Sequence, residues 1–227
     1  MKILFYIATH KRHEVLRMCL DNLKELSKKW DIDVFCVSSP QDAQIISEYD
    51  YDYCIEDNFP LGRKKNLGLK EAMKKDFTHL IELGSDDIIT DELLTEYEKN
   101  DSAYFGINNY HLIDLRSGRA KHWTYGIQGQ EIYSPIGAGR VFKKETLEDA
   151  LSKGDLWPDE QQRGLDGASD TNMMLRGYKC DIIPFKGIGI IDLKTDENIW
   201  PFDDVDGVEY DFKALSAFVK DTVDEHR

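Results

Sequence analysis

The sequence predicts an α/β fold with a mostly parallel central sheet flanked by helices. Two observations carry that reading: short apolar runs alternate with amphipathic stretches through residues 1–100, and one run stops abruptly at two adjacent carboxylates. Residues 2–8, Lys-Ile-Leu-Phe-Tyr-Ile-Ala, read as a buried strand closed by Thr9-His10-Lys11-Arg12. Val15, Leu16, Cys19, Leu20, Leu23 and Leu26 then recur at three- and four-residue steps, the spacing of one helical face. Residues 32–38 give a second strand before Ser39-Pro40, 41–48 a short helix, 51–55 a third strand, and 62–75 a helix with Leu69, Ala72 and Met73 inward. The fourth strand, 78–83, delivers Asp86 and Asp87 at its carboxyl end. Such alternation implies right-handed crossovers and a sheet covered on both faces.

Beyond a helix at 91–99 and an apolar strand at 102–107, residues 109–125 are rich in Asn, Tyr, His, Arg and Trp, and Ser117-Gly118 marks a hairpin projecting from the sheet. A strand at 136–142, a helix at 144–152 and a Gly- and Asp-rich loop at 154–167 lead into a helix ending near Gly177. The segment 208–223 reads as an amphipathic helix with Val208, Phe212, Leu215, Phe218, Val219 and Val223 on one side.

At 227 residues the chain is long enough for a full hydrophobic core in one domain. No apolar segment approaches the roughly 20 residues that span a bilayer, and the apolar run after Met1-Lys2 is too short for a signal peptide. Cys19, Cys36, Cys54 and Cys180 are scattered without close pairs, the pattern of reduced core residues in a cytoplasmic protein. A net charge of −14 argues against a broad phosphate-tracking surface, so a nucleic-acid partner is not favoured. Basic residues still gather at Lys11, Arg12 and Arg17, at Arg63, Lys64 and Lys65, and at Arg116, Arg119 and Lys121, where a small basic groove or plain solvated faces are both open.

Carboxylates just past a buried strand point into the crevice where open α/β sheets bind ligands, and hard ions such as Mg²⁺ or Mn²⁺ take one or two carboxylates plus substrate phosphates. Asp86 and Asp87 therefore form a candidate metal and phosphate site; Asp also opens turns and caps helices, and a helix starts near Asp91.

Several segments, in order, resemble the family 2 glycosyltransferases of the GT-A fold. Ala8-Thr9-His10-Lys11-Arg12 keeps the Thr and Arg of the family's first turn, Leu61-Gly62-Arg63-Lys64-Lys65-Asn66-Leu67-Gly68 is similar to its Gly-x-x-x-Ala-Arg-Asn-x-Gly segment, and Ser85-Asp86-Asp87 stands at its Asp-x-Asp motif. Gly137-Ala138-Gly139-Arg140-Val141-Phe142 resembles its glycine-containing strand on the acceptor side. The family's catalytic Asp, preceded there by a Glu that this chain lacks, corresponds to Asp166 or Asp170; counting back from Gly177 selects Asp166. The resemblance implies Asp87 as ligand of a Mn²⁺ or Mg²⁺ ion, Asp86 on the ribose or the ion, Asp192 completing the metal shell, and Lys194 on a phosphate. It extends donor binding to Thr9, Arg12, Ser38, Arg63, Lys64 and Asn66.

The domain would then comprise a nucleotide-binding half (1–100), an acceptor-binding half (101–200) and a C-terminal helix (201–227). The implied activity is metal-dependent, inverting transfer of a sugar from a nucleoside-diphosphate donor, UDP-linked by first choice, to a hydroxyl on a glycan, a protein or a hydroxylated nucleic-acid base. Tyr110, Trp123, Tyr125, Trp157 and Trp200 are candidates for stacking on rings, or simply packing elements. A nucleotidyltransferase and a catalytically silent nucleotide-sugar-binding module remain the competing readings; the former prefers a glycine-rich loop after the first strand, which Thr9-His10-Lys11-Arg12 lacks.

Overall fold

The computed structural model describes residues 1–125, 135–195, 198 and 200–223, of which 220–223 by backbone alone. In chain order the elements are β1 (Lys2–Ala8), α1 (His13–Leu26), β2 (Asp31–Ser38), α2 (Ala43–Glu48), β3 (Asp52–Ile55), α3 (Leu61–Ala72), β4 (His79–Gly84), β5 (Asp87–Ile89), α4 (Asp91–Tyr97), β6 (Tyr104–Gly106), β7 (Asn109–Asp114) and β8 (Arg119–Thr124). They continue with β9 (Arg140–Lys143), α5 (Lys144–Ser152), α6 (Leu165–Leu175), β10 (Asp181–Ile182), β11 (Ile190–Lys194), a 3₁₀ turn at Phe202–Asp204, β12 (Val208–Glu209) and α7 (Phe212–Val223).

The main sheet has seven strands in the order β10-β6-β9-β4-β1-β2-β3, and only β9 runs against its neighbours. Alternation along β1 builds both layers around it. Ile3, Phe5 and Ile7 join Leu16, Leu20 and Leu23 of α1, whereas Leu4 and Tyr6 join Leu69 and Ala72 of α3. Because both faces are covered, the strand reads as a continuous apolar run.

The hairpin of β7 and β8 forms where Ser117-Gly118 predicts it, with Asp114 opposite Arg119. It does not project alone. A second, five-stranded sheet, β12-β8-β7-β11-β5, is built around it, which the sequence reading did not anticipate. The C-terminal reading also needs correction: Val208 lies in β12 opposite His122, is 75% exposed, and the helix starts only at Phe212. Leu215 and Val219 are the buried positions, packed with Val15, Met18, Ile113 and Leu193, while Phe218 is 40% exposed. The Val223 side chain and residues 224–227 lie outside the described residues.

The four cysteines are free, and Cys19, Cys36 and Cys180 are buried. Among the described residues no helix is long and apolar enough to cross a membrane.

The topology positions the site. From β1 the chain proceeds to β2 on one side, while β4 lies on the other, with Ala8 in register with Gly84 at the carboxyl ends. That reversal opens a crevice, and β4 turns there directly into β5 of the second sheet.

Candidate active site

A cavity of about 720 Å³ opens at the ends of β1 and β4. His10 and Arg12 line it from the first loop, Gly84 to Asp87 from the β4–β5 turn, and Tyr110, Trp123 and Tyr125 from the hairpin. Asp166, at the start of α6, and Asp192, Lys194, Asn198 and Trp200, from β11 onward, complete the walls.

One corner holds three carboxylates. The antiparallel register of β5 and β11 sets Asp87 opposite Asp192, and both are buried. Asp87 Oδ2 accepts the Gly84 N–H at 2.7 Å. A Cβ on residue 84 would sit 2.4 Å from that oxygen, so the turn requires a glycine. Asp86 Oδ2 accepts from Arg12 Nη1 and, at 2.6 Å, from Asn198 Nδ2, while Arg12 Nη2 reaches Ser85 Oγ at 2.9 Å. Lys11 and Arg12 both hold left-handed backbone, φ 57° and 58°, a strained conformation for residues with side chains that aims Arg12 at the carboxylates. The helix cap the sequence left open to Asp86 or Asp87 falls to Thr90, whose Oγ1 accepts the Leu93 N–H at 3.3 Å.

Burial pushes Asp87 well above the usual carboxylate range, and the charges of Asp86 and Asp192 push the same way against the Gly84 N–H and Lys194. Burial likewise raises Asp192 to about 6, with Lys194 opposing. Lys194 Nζ pairs with Asp192 Oδ2 at 2.6 Å, whereas Asp192 Oδ1 is buried with no partner. Among the described residues no group of three or more His, Cys, Asp or Glu is gathered ready to hold a metal. The corner offers instead two buried carboxylates that repel each other and one orphaned oxygen. That donor set fits a hard divalent ion that takes one or two carboxylates and fills its shell with phosphate and water.

The remaining candidates divide sharply. Asp166 lines the cavity with its side chain 60% exposed, and α6 is capped by Gly164, so the carboxylate is not spent on a cap. Asp170, the alternative, does not reach the cavity: it is 2% exposed and accepts the Tyr104 hydroxyl at 2.9 Å. Arg12, Asp86 and Lys194 line the cavity as donor candidates. Thr9, Ser38, Lys64 and Asn66 are buried behind it as supports, and Arg63 is exposed outside it.

Those supports tie the loops together. Thr9 Oγ1 and Ser39 Oγ donate to Asp42 Oδ2 at 2.9 and 2.8 Å, and Ser38 Oγ donates to the Ser39 carbonyl. Lys64 Nζ bridges the Thr9 carbonyl and Asn58 Oδ1 at 2.5 and 3.2 Å, and burial pulls its ammonium down to about 8. Asn66 Nδ2 holds the Trp157 carbonyl at 2.7 Å. Trp157 itself is 3% exposed beneath Lys65, which rules it out as a stacking surface; Tyr110, Trp123, Tyr125 and Trp200 do face the cavity, with ring centroids 5.2–5.6 Å apart around Trp123.

Sequence reasoning missed Asn58, Gln162 and Asn198, and gave no role to Glu82 and Arg140. The last two carried a signal, because a charged residue inside an apolar strand needs a buried counterpart. Glu82 is 5% exposed and pairs with Lys65 and Arg140.

No protein-family model matches the sequence, and no curated protein matches it. Solved structures do. The S. aureus TarS crystal structure is 15% identical with a TM-score of 0.57, over 88% of this chain and 38% of that one. Residues 1–349 of TarS in complex with UDP match 98% of this chain and 65% of that one at 14% identity and TM-score 0.57. The Pyrobaculum calidifontis mannosyltransferase PcManGT in complex with GDP-Man and Mn²⁺ matches 87% and 58% at 13% identity and TM-score 0.55. This chain thus spans 38–65% of the length of these structures. The fold is α/β, as the residue pattern predicted, and of the GT-A type that the resemblance implied.

Proposed function

We propose that the protein is a metal-dependent, inverting glycosyltransferase that moves a sugar from a nucleoside-diphosphate donor, UDP-linked by first choice, to a hydroxyl acceptor. The observation that carries this reading is the placement of Asp86, Asp87, Asp192 and Lys194 in one cavity with Asp166, at the switch point of a GT-A sheet. The solved neighbours that hold UDP, or GDP-Man with Mn²⁺, support the donor class.

Asp87 and Asp192 would hold Mn²⁺ or Mg²⁺, with Asp86 beside them on the ribose or the ion. When bound, the ion neutralises the diphosphate leaving group, where charge develops most during transfer. Arg12 and Lys194 add positive charge on the same side of the cavity. Asp166 accepts the proton of the acceptor hydroxyl as that oxygen bonds to the anomeric carbon and the diphosphate departs with the old bond's electron pair. A single displacement of this kind inverts the anomeric configuration.

The wall of Tyr110, Trp123, Tyr125 and Trp200 supports an acceptor that presents a ring face, a glycan foremost. The net charge of −14 weighs against nucleic acid. In the same reading residues 1–100 form the donor half and 101–200 the acceptor half of one domain.

Manganese-dependent hydrolysis of a UDP-sugar tests the proposal. Wild-type protein should release UDP, and Asp87→Asn should not. Release of pyrophosphate from a nucleoside triphosphate would select nucleotidyl transfer instead, and donor binding without turnover across a broad acceptor panel would select a silent binding module.

A further inference from the structure

We infer that Arg140 and Gly137 form a seat that positions the Asp166 carboxylate, with Glu82 and Lys65 holding the seat in place; the inference rests on Asp166 being the proton acceptor.

Arg140 is completely buried at the start of β9, and its guanidinium is shared between two elements. Nη2 lies 3.0 Å from Glu82 Oε2 and 3.2 Å from Asp166 Oδ1. Nη1 donates to the Asp166 carbonyl at 3.0 Å and to Ser169 Oγ at 2.9 Å. The same cation therefore fixes the main chain of the first turn of α6 and one oxygen of the carboxylate that turn presents.

Gly137 supplies the floor. A Cβ there would fall 2.3 Å from Asp166 Cγ and 2.4 Å from each carboxylate oxygen. The carboxylate is pressed against a bare α-carbon, and any side chain at 137 would expel it.

The charge arrangement explains why the cation is available to Asp166. Glu82 Oε1 accepts a hydrogen bond from Lys65, and Oε2 lies 3.0 Å from Arg140 Nη2 as an ion pair without a hydrogen bond, so one buried carboxylate faces two cations. The surplus positive charge is turned toward Asp166. A strut needed only for stability would be served as well by apolar packing, which buried ion pairs seldom outperform. It would also not require a glycine beneath the carboxylate. Placing a reacting group to within an ångström is worth about 100-fold in rate, which gives the seat a function.

The test is a mutant cycle read in kcat and in donor affinity, with Mn²⁺ and UDP-sugar and an acceptor found by panel screening. Gly137→Ala should lower kcat about 100-fold and Arg140→Lys about 10-fold or more, with the Kd for UDP unchanged. In an Asp166→Asn background neither should lower kcat further, because both act through the missing carboxylate. Should Gly137→Ala misfold, Arg140→Lys carries the cycle alone. Full kcat in the single variants, or losses that multiply in the Asp166→Asn background, would overturn the seat. Full kcat in Asp166→Asn itself would overturn the catalytic reading on which the seat depends.

Discussion

Asp87 and Asp192 stand opposite each other across β5 and β11, both buried and both raised in proton affinity by burial, each with a neighbouring negative charge adding to the effect. Burying their charged forms costs stability, which Lys194, paired with Asp192, offsets in part and a divalent cation would offset further.

The first prediction concerns that relief. Mn²⁺ should raise the melting temperature of the wild type, by an increment equivalent to about 2.7 kcal/mol at 100 times its Kd. In Asp87→Asn the increment should vanish, while the metal-free melting temperature holds or rises. Differential scanning fluorimetry with and without Mn²⁺ checks both; an unchanged increment in the variant would sink the assignment.

Gly84 provides the second. With a Cβ 2.4 Å from Asp87 Oδ2, Gly84→Ala should cost about 1–3 kcal/mol of stability and displace the carboxylate it now hydrogen-bonds. Urea unfolding gives the first quantity and UDP-sugar hydrolysis the second, where a loss of about 10-fold or more is expected. A fully active, equally stable Gly84→Ala would contradict the geometry.

Asp166 and Asp170 separate in a third experiment. Asp170→Asn should cost about 1 kcal/mol through its bond from Tyr104 and leave transfer within about threefold of wild type. Asp166→Asn should keep stability and donor binding and lose transfer by at least about 100-fold. Reversal of these outcomes would move the base to Asp170.

The separation also marks how far the sequence reaches. Asp166 and Asp170 lie four residues apart on one helical face, so spacing alone leaves them equivalent, and only burial divides them. Asp86 and Asp87 stood out because carboxylates just past an apolar run mark a strand terminus at a crevice, whereas Asp192 and Lys194, inside β11, were implied only by the resemblance; the structure lines one cavity with all four. β1 and α1 were legible because periods of 2 and 3.6 persist over 7 and 14 residues. β5, β10 and β12 have only 2 or 3 residues, too few to show a period, and the second sheet joins β5, β7 and β11 from distant parts of the chain. The seat of Asp166 was hidden for another reason. Glu82 and Arg140 pair through β4 and β9, and antiparallel register between strands so far apart is fixed by tertiary packing.

A fourth prediction follows from His111. It is 3% exposed with Nδ1 unpartnered, and burial, helped by His122, pushes it down to about 4. The unfolded chain therefore binds the proton first: stability is intact above pH 6.5 and declines as pH falls toward 4, by up to about 3 kcal/mol. His111→Phe keeps a ring against His122 and Tyr210 and should flatten that decline. Urea unfolding at pH 7.5 and pH 4.5 measures it, and an equally steep decline in the variant would assign the acid sensitivity elsewhere.

The most direct test of the donor-and-metal site is calorimetric titration of UDP, and of GDP for comparison, into the wild type and Asp87→Asn with Mn²⁺ present or chelated. Nucleotide binding should strengthen at least about 10-fold with Mn²⁺ in the wild type and lose that dependence in the variant. Binding equally strong without the ion, or no nucleotide binding at all, would contradict it.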